Sequence, residues 1–313
     1  MMAEPFERKE AVVIVNPAAH NATKRKALSV ANMWLREQGW KAEWAETSGA
    51  GDATTMSAKA AELRVPLVFV CGGDGTLNEA VNGLAGSDTA VSVIPAGTVN
   101  LWAREVGLLK KPSEAVRLAI AGVRRRVDLG RVGSRYFLSM ASFGIDAAVV
   151  HLVPHRVKGR VGAAAYALSA ARQAMTYQGS RVTLSLDGEE RSARALMIVA
   201  GNTREYAGLT KVTPDAVVDD GLLDICVYEG GARWDIIRLA ALTLLKRHRR
   251  SKRVDYRRAR HLTIASEPPL LVQLDGEALP ESPTEVSVAA GALSVMTPRD
   301  LRSPLFSRPP EPA

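Results

Sequence analysis

Residues 68–79 read Val-Phe-Val-Cys-Gly-Gly-Asp-Gly-Thr-Leu-Asn-Glu, and few backbones accommodate that order. The apolar run reads as a buried strand, and Gly72, Gly73 and Gly75 then force a turn into a helix. Glycine permits positive φ and lets an anion approach the main chain, while a helix start presents unpaired N–H groups. The segment therefore predicts a phosphate-cradling loop. Thr76 and Glu79 have capping-box spacing, which places the helix start there. Neither the Gly-x-x-x-x-Gly-Lys-Ser/Thr pattern nor the dinucleotide fingerprint fits, because Asn78 stands where the latter needs its third glycine. Asp74 inside an anion-binding loop implies a cation or a network of waters beside the phosphates, and magnesium is the natural candidate. The plain alternative is a tight strand-to-helix connection with no ligand.

The flanking sequence alternates strand and helix patterns. Ala11–Val15, Pro66–Val70 and Val91–Ile94 read as strands; Lys24–Gln38, Thr76–Leu84 and Val99–Val106 read as helices, with Gly39 and Gly107 as stops. That alternation predicts a parallel sheet covered by helices, with ligands outside the carboxyl ends of its strands. The loops Asn16-Pro17-Ala18-Ala19-His20 and Pro95-Ala96-Gly97-Thr98-Val99-Asn100 would then converge with Gly72–Thr76 on one crevice.

After about Asp128 the pattern changes to short strands and turns: Tyr136–Met140, Arg181–Leu186, Ala193–Ala200, Leu222–Tyr228, Leu262–Ala265, Leu270–Leu274 and Thr284–Val288. Helical segments near Gly162–Met175 and Trp234–Lys246 interrupt them. A chain of 313 residues favours two domains. The expected division is an α/β domain over residues 1–130, a β-rich domain over 131–290 and a tail, 306–313, without fixed structure.

Three further segments carry acidic turns. Asp219-Asp220-Gly221 precedes an apolar strand, and the triplets Asp187-Gly188-Glu189 and Asp275-Gly276-Glu277 each follow one. Both triplets read as hairpin turns, and local sequence does not say which glutamate, if either, is a catalytic base.

The formal net charge is +8, gathered at Arg124-Arg125-Arg126, at Arg156, Lys158 and Arg160, and along Lys246–Arg260. Anionic lipid and nucleic acid satisfy such charge equally, but no aromatic platform interleaves these runs, which disfavours nucleic acid. Cys71 and Cys226 lie far apart in apolar runs, so neither a disulfide nor a thiolate metal site is expected. Met1–Glu10 has no apolar stretch of a secretory signal, and Val161–Ala171 is too short to span a bilayer. The expected location is cytoplasmic, with peripheral contact at the inner membrane face.

Taken in order, these segments resemble the diacylglycerol kinase catalytic-domain family, which includes bacterial diacylglycerol kinases and the sphingosine and ceramide kinases. The likeness runs from about Ala11 to Thr297 through Asn16-Pro17, Thr47 with Gly51-Asp52-Ala53, Gly72 to Gly83, Pro95 to Arg104, Val127-Asp128-Leu129-Gly130, Gly144-Ile145-Asp146-Ala147, Asp219-Asp220-Gly221 and Asp275-Gly276-Glu277. Gly-Gly-Asp-Gly-Thr alone is shared with NAD kinases and phosphofructokinases; the ordered set is much more specific.

The resemblance implies an NAD-kinase- or phosphofructokinase-like α/β domain with a parallel sheet, joined to a β-sandwich-like C-terminal domain. About 291–305 would return to the first domain, and the active site would lie in the cleft. It implies ATP contacts from Asn16, Pro17, Ala18, Ala19 and His20, from Thr47, from Gly72, Gly73, Asp74, Gly75, Thr76, Leu77, Asn78 and Glu79, and from Thr98. It implies a structural Mg²⁺ on Asp220 with the carbonyls of Val217 and Leu222. Glu277 matches the family's proton acceptor, with Asp74 beside the phosphates, and Glu189 matches nothing functional. Leu101 departs from the pattern, since many members carry an aspartate there that acts with those matching Asp74 and Asp128 in a magnesium and water network.

The expected activity is transfer of the γ-phosphate of ATP to a lipid hydroxyl, on diacylglycerol or a sphingoid-like acceptor. A kinase of a soluble acceptor such as NAD or a sugar, and a catalytically silent lipid or nucleotide sensor, are the alternatives. Oligomeric state is open, with a homodimer among the expectations.

Overall fold

The computed structural model describes residues 6–19, 25–152, 177–279 and 285–311, and the chain divides into two compact units. The first comprises Met1–Leu129, Val217–Asp220 and Ala289–Ala313; the second comprises Gly130–Ala216 and Gly221–Val288.

In the first unit the order is β1 (Glu10–Val15), α1 (Arg25–Glu37), β2 (Lys41–Glu46), α2 (Asp52–Glu62), β3 (Leu67–Gly72), α3 (Asp74–Leu84), β4 (Ala90–Pro95), α4 (Leu101–Glu105) and α5 (Pro112–Ile120), followed by β5 (Val123–Val132). Strands run parallel in the order β2-β1-β3-β4, and β17 (Glu285–Thr297) extends them through Ser294 and Val295 beside Ala90 and Val91. All six residues of β3 are buried, as a central parallel strand with helices on both faces requires. Phe69, Cys71 and Ile94 share a core with Ala31 and Leu35 of α1 and Val116 and Ala119 of α5. Helices α2 and α3 pack on each other and against β1, β3 and β4.

Elements β2 and α2 were not anticipated. Lys41, Glu43 and Glu46 are exposed on β2, the edge strand, and their charge hides the strand in the sequence. The expected capping box does not form: α3 starts at Asp74 with Gly73 as N-cap and no side-chain cap. Thr76 therefore lies inside the helix.

The second unit is antiparallel. Its strands are β6 (Arg135–Phe137), β7 (Met140–Gly144), β8 (Ser180–Leu186), β9 (Glu189–Gly201), β10 (Glu205–Tyr206), β11 (Thr210–Lys211), β12 (Leu223–Glu229), β13 (Val254–Ala259), β14 (His261–Glu267), β15 (Val272–Leu274) and β16 (Glu277–Leu279). Strand β9 organises them: its first half pairs β8, and its second half lies between β7 and β12. Alternation along β12 sends Ile225 and Val227 into the main core and Cys226 and Tyr228 into a second cluster. That second cluster is covered by Leu239 and Ile236 of α7 (Arg233–Leu244). Helix α6 (Ile145–Leu152) follows β7 directly. Among the described residues no helix is long and apolar enough to cross a membrane.

The expected helix at Gly162–Met175, the basic residues Arg156, Lys158 and Arg160, and His20 lie outside the described residues. The tail differs from expectation. Asp219 accepts hydrogen bonds from the Ser307 and Arg308 N–H groups and the Ser307 hydroxyl, and the Glu311 N–H donates to the Arg124 carbonyl at 2.9 Å. A buried carboxylate that gathers three donors fixes the segment the polar, proline-rich sequence left open.

Helices α2 and α3 cross at Gly83, where a Cβ would stand 2.3 Å from the Thr54 carbonyl oxygen and 2.9 Å from Ser57 Cβ. Gly83→Ala should cost about 1–3 kcal/mol of stability. The check is urea unfolding, with a lower midpoint at unchanged slope.

Candidate active site

Three strand ends of the first unit stand side by side because the β-ladder register aligns them. Val15 pairs with Cys71, and Gly72 pairs with Pro95. The ladder continues one step further, with the Asn16 N–H donating to the Cys71 carbonyl and the Ala96 N–H to the Gly72 carbonyl, both at 2.9 Å. Beyond it the Asn16 amide donates to Thr76 Oγ1 at 2.9 Å, and Asn16 Oδ1 accepts from the Ala18 N–H at 3.0 Å.

The Gly73 and Gly97 backbones touch. A Cβ on Gly97 would lie 2.5 Å from Gly73 Cα, and one on Gly73 would lie 3.3 Å from Gly97 Cα. The two loops thus present main chain to one another, at the N-terminus of α3.

Asp74 fastens the pair. Its Oδ1 accepts the Leu101 N–H at 2.6 Å and its Oδ2 accepts the Asn100 N–H at 3.0 Å. Burial pushes the Asp74 carboxyl above the usual carboxylate range, and these N–H bonds pull the other way, joined by the charge of Arg104. Asn100 adopts a left-handed conformation, φ 55°, and its side-chain amide closes on Gly97, accepting from the N–H at 2.9 Å and donating to the carbonyl at 2.7 Å. Position 101 meets Asp74 through its N–H, so leucine serves that contact as well as aspartate would.

In the second unit both Asp-Gly-Glu triplets form two-residue hairpins with left-handed central residues: Asp187 and Gly188 at φ 50° and 94°, Asp275 and Gly276 at 46° and 85°. Their surroundings differ. Asp275 accepts the Leu138, Ser139 and Met140 N–H groups at 2.8–2.9 Å, and the Gly276 N–H donates to Gln273 Oε1 at 2.6 Å. Glu277 Oε2 accepts from Arg135 at 2.6 Å in a half-buried setting. Glu189 is 80% exposed and pairs with Arg257 at 3.2 Å.

Of the acidic pair, Asp219 is buried and accepts the hydrogen bonds of the tail, and Asp220 is half-buried beside Gly221, at φ 78°. Among the described residues no three His, Cys, Asp or Glu side chains cluster as a metal site. A cation on Asp220 would rest on one carboxylate, carbonyls and water, a ligand set that suits Mg²⁺. Cys71 and Cys226 are buried free thiols, and burial pushes them up to about 11 and about 12.

Comparison with known proteins adds to this geometry. Residues 10–132 match the diacylglycerol kinase catalytic domain, and residues 139–297 match the YegS C-terminal NAD kinase beta sandwich-like domain. The chain belongs to the diacylglycerol kinase family. A Staphylococcus saprophyticus protein named diacylglycerol kinase is 29% identical over 298 residues, covering 95% of this chain and 98% of its own length. A Bacillus subtilis protein of the same name is 29% identical over 272 residues, covering 86% of this chain and 90% of its own length. A solved Bacillus anthracis structure shares the fold at TM-score 0.80 and 24% identity, covering 93% of this chain and 96% of its own. The α/β first unit and β-rich second unit are the architecture of that family.

Within this family frame, the first unit brings together Asn16, Pro17, Ala18 and Ala19, the Gly72–Thr76 turn and the Gly97–Asn100 loop. Thr47 joins through its N–H, which donates to the Val15 carbonyl at 2.9 Å, and Thr98 is exposed at the loop tip. Leu77 and Asn78 are buried inside α3. Glu79 accepts the Ala53 N–H at 3.3 Å, and its carbonyl accepts the Thr54 hydroxyl at 2.9 Å, tying α3 to the start of α2. Gly97 and Asn100 were in the matched motif without an assigned role. The signal available was a glycine at the end of a buried strand, three residues before an asparagine that tolerates positive φ.

Gly97→Ala drives a methyl into the Gly73 backbone and should cost about 1–3 kcal/mol of stability. Thr98→Ala, one residue on and exposed, should stay within about 0.5 kcal/mol. Thermal unfolding of the two variants side by side is the check.

Proposed function

We propose that this chain is an ATP-dependent lipid kinase that transfers the γ-phosphate of ATP to the hydroxyl of a lipid, with diacylglycerol as the first acceptor to test. The reading rests on the side-chain-free contact of Gly73 and Gly97 at the start of α3, in a chain whose relatives are named diacylglycerol kinases. A cradle that any Cβ would fill suits phosphate oxygens, and the helix start supplies N–H groups and a favourable dipole for them.

In this reading the Gly72–Thr76 main chain and the Asn16 loop position the phosphates. Asp74 holds the Gly97 loop closed over them through the Asn100 and Leu101 N–H groups. Asp220, with the carbonyls of Val217 and Leu222, would hold a structural Mg²⁺. Magnesium supplies charge neutralisation when bound with the nucleotide. Glu277 takes the proton of the acceptor hydroxyl as the oxygen–phosphorus bond forms and ADP leaves, with Arg135 fixing the carboxylate's direction. The chain works in the cytoplasm, at the face of an anionic membrane that carries its substrate.

Gly73→Val would fill the cradle, so ATP binding should fall below detection in isothermal titration while circular dichroism stays native. A folded variant with unchanged affinity removes the loop from the site.

Glu277→Gln keeps size and removes the base, so kcat should drop about 10²- to 10⁴-fold with ATP affinity nearly unchanged. Glu189→Gln, on an exposed hairpin, should stay within about twofold. The assay is transfer of labelled γ-phosphate to diacylglycerol and other lipids in mixed micelles, with NAD and sugars as controls. Equal small losses in the two variants would take Glu277 out of the mechanism.

A further inference from the structure

The first turn and the last turn of α7 leave large apolar side chains in water. Trp234 is 68% exposed, Ile237 53%, Leu244 61% and Leu245, just past the helix, 65%. With Ala241, their spacing of three and four residues makes one stripe along the helix. Leu209, 76% exposed, belongs to the β10–β11 turn, whose Thr210 hydroxyl donates to the Thr243 carbonyl at 2.8 Å. The opposite face of α7, with Leu239 and Thr243, is buried on the second cluster of the unit.

The charge along this stripe has one sign. Arg233, Arg238, Lys246 and Arg247 are exposed around it. The helix has a single acid, Asp235, and its carboxylate accepts the Gly231 and Ala232 N–H groups at 3.2 Å and pairs with Arg253. The wider basic run is divided by the fold. Arg249 is engaged by Asp215 and lies over the Tyr256 ring, Arg257 meets Asp255 and Glu189, and Arg258 meets Asp224. Lys246, Arg247 and Arg250 pair with no acid among the described residues.

We infer that α7 is an interfacial helix, which buries Trp234, Ile237, Leu244 and Leu245 in the headgroup and acyl boundary of an anionic bilayer while its bordering arginines and lysine meet the lipid phosphates. An apolar stripe rimmed by cations is the composition of helices that lie in that plane. A second copy of this chain is the poorer occupant, because pairing two such stripes would bring the same cations together. The inference rests on the lipid-kinase reading for its purpose and on the exposed stripe for its substance.

The test uses the intact chain with vesicles of phosphatidylglycerol or of phosphatidylcholine, each with and without brominated acyl chains. Trp40 and Trp102 are buried and Trp34 and Trp44 half-buried, so Trp234 is the fluorophore within reach of lipid. On phosphatidylglycerol, emission should shift to the blue and be quenched by bromine, and Trp234→Phe should remove both effects. Ile237→Ser and Leu244→Ser should each lower vesicle affinity about tenfold, at unchanged thermal unfolding. Arg247→Glu should weaken binding mainly at low salt.

Activity separates the inference from the reading beneath it. These variants should lose turnover on vesicle-borne acceptor and keep it on a short-chain acceptor dispersed in solution. Lipid phosphorylation without Trp234 quenching overturns the interfacial helix and leaves the kinase reading standing. Quenching with no lipid phosphorylated supports the helix and overturns the kinase reading. A concentration-dependent dimer in sedimentation that Ile237→Ser abolishes, with no vesicle binding, assigns the stripe to a second copy and overturns the inference.

Discussion

The contact between Gly73 and Gly97 is the constraint around which the first unit is arranged. Two parallel strands end in register, and the chain must turn from each without a side chain between them. The hydrogen bonds nearby keep that contact in place. Asp74 reaches over to the Asn100 and Leu101 N–H groups, Asn100 closes on Gly97, and Asn16 reaches Thr76 from the neighbouring strand. A carboxylate is costly to bury, and these donors offset the cost. Glu79 then joins α3 to α2, so the helix that carries the glycine turn is anchored from its far side.

The second unit shows how the same turn chemistry serves two purposes. Asp-Gly is the right pair for a two-residue hairpin, and both triplets use it. At Asp275 the side chain also gathers three N–H groups at the start of β7, which fixes the turn against that strand and sets Glu277 beside Arg135. At Asp187 the carboxylate bonds the N–H groups of Arg260 and His261 at a more exposed edge. A hairpin is local, whereas the difference in surroundings between the two comes from what the rest of the sheet places around them.

Much of this was legible in the sequence. The strands β1, β3 and β4 and the helix α3 follow from apolar runs, glycine punctuation and period, because burial on both faces imposes a strong hydrophobic signature. The ordered motifs pointed to the family, and the residue-by-residue assignments at Asn16, Gly73, Asp74, Asp220 and Glu277 came from that resemblance rather than from spacing. Strand β2 was missed because an edge strand with charged outward residues loses the signature.

What the sequence determined by itself is therefore the alternation of strands and helices, the glycine turn and the excess of positive charge, all of which depend on neighbours along the chain. Tertiary structure alone decided that Thr76 receives Asn16 rather than capping a helix, that Asp219 holds the tail, and that Arg249, Arg257 and Arg258 are engaged by acids while Lys246 and Arg247 meet none among the described residues. It also decided that one face of α7 is buried and the other carries Trp234 and Ile237 into water. The physical reason is common to all four: a side chain's partner is set by which strands and helices pack beside it, and residues that meet across that packing are distant in the chain.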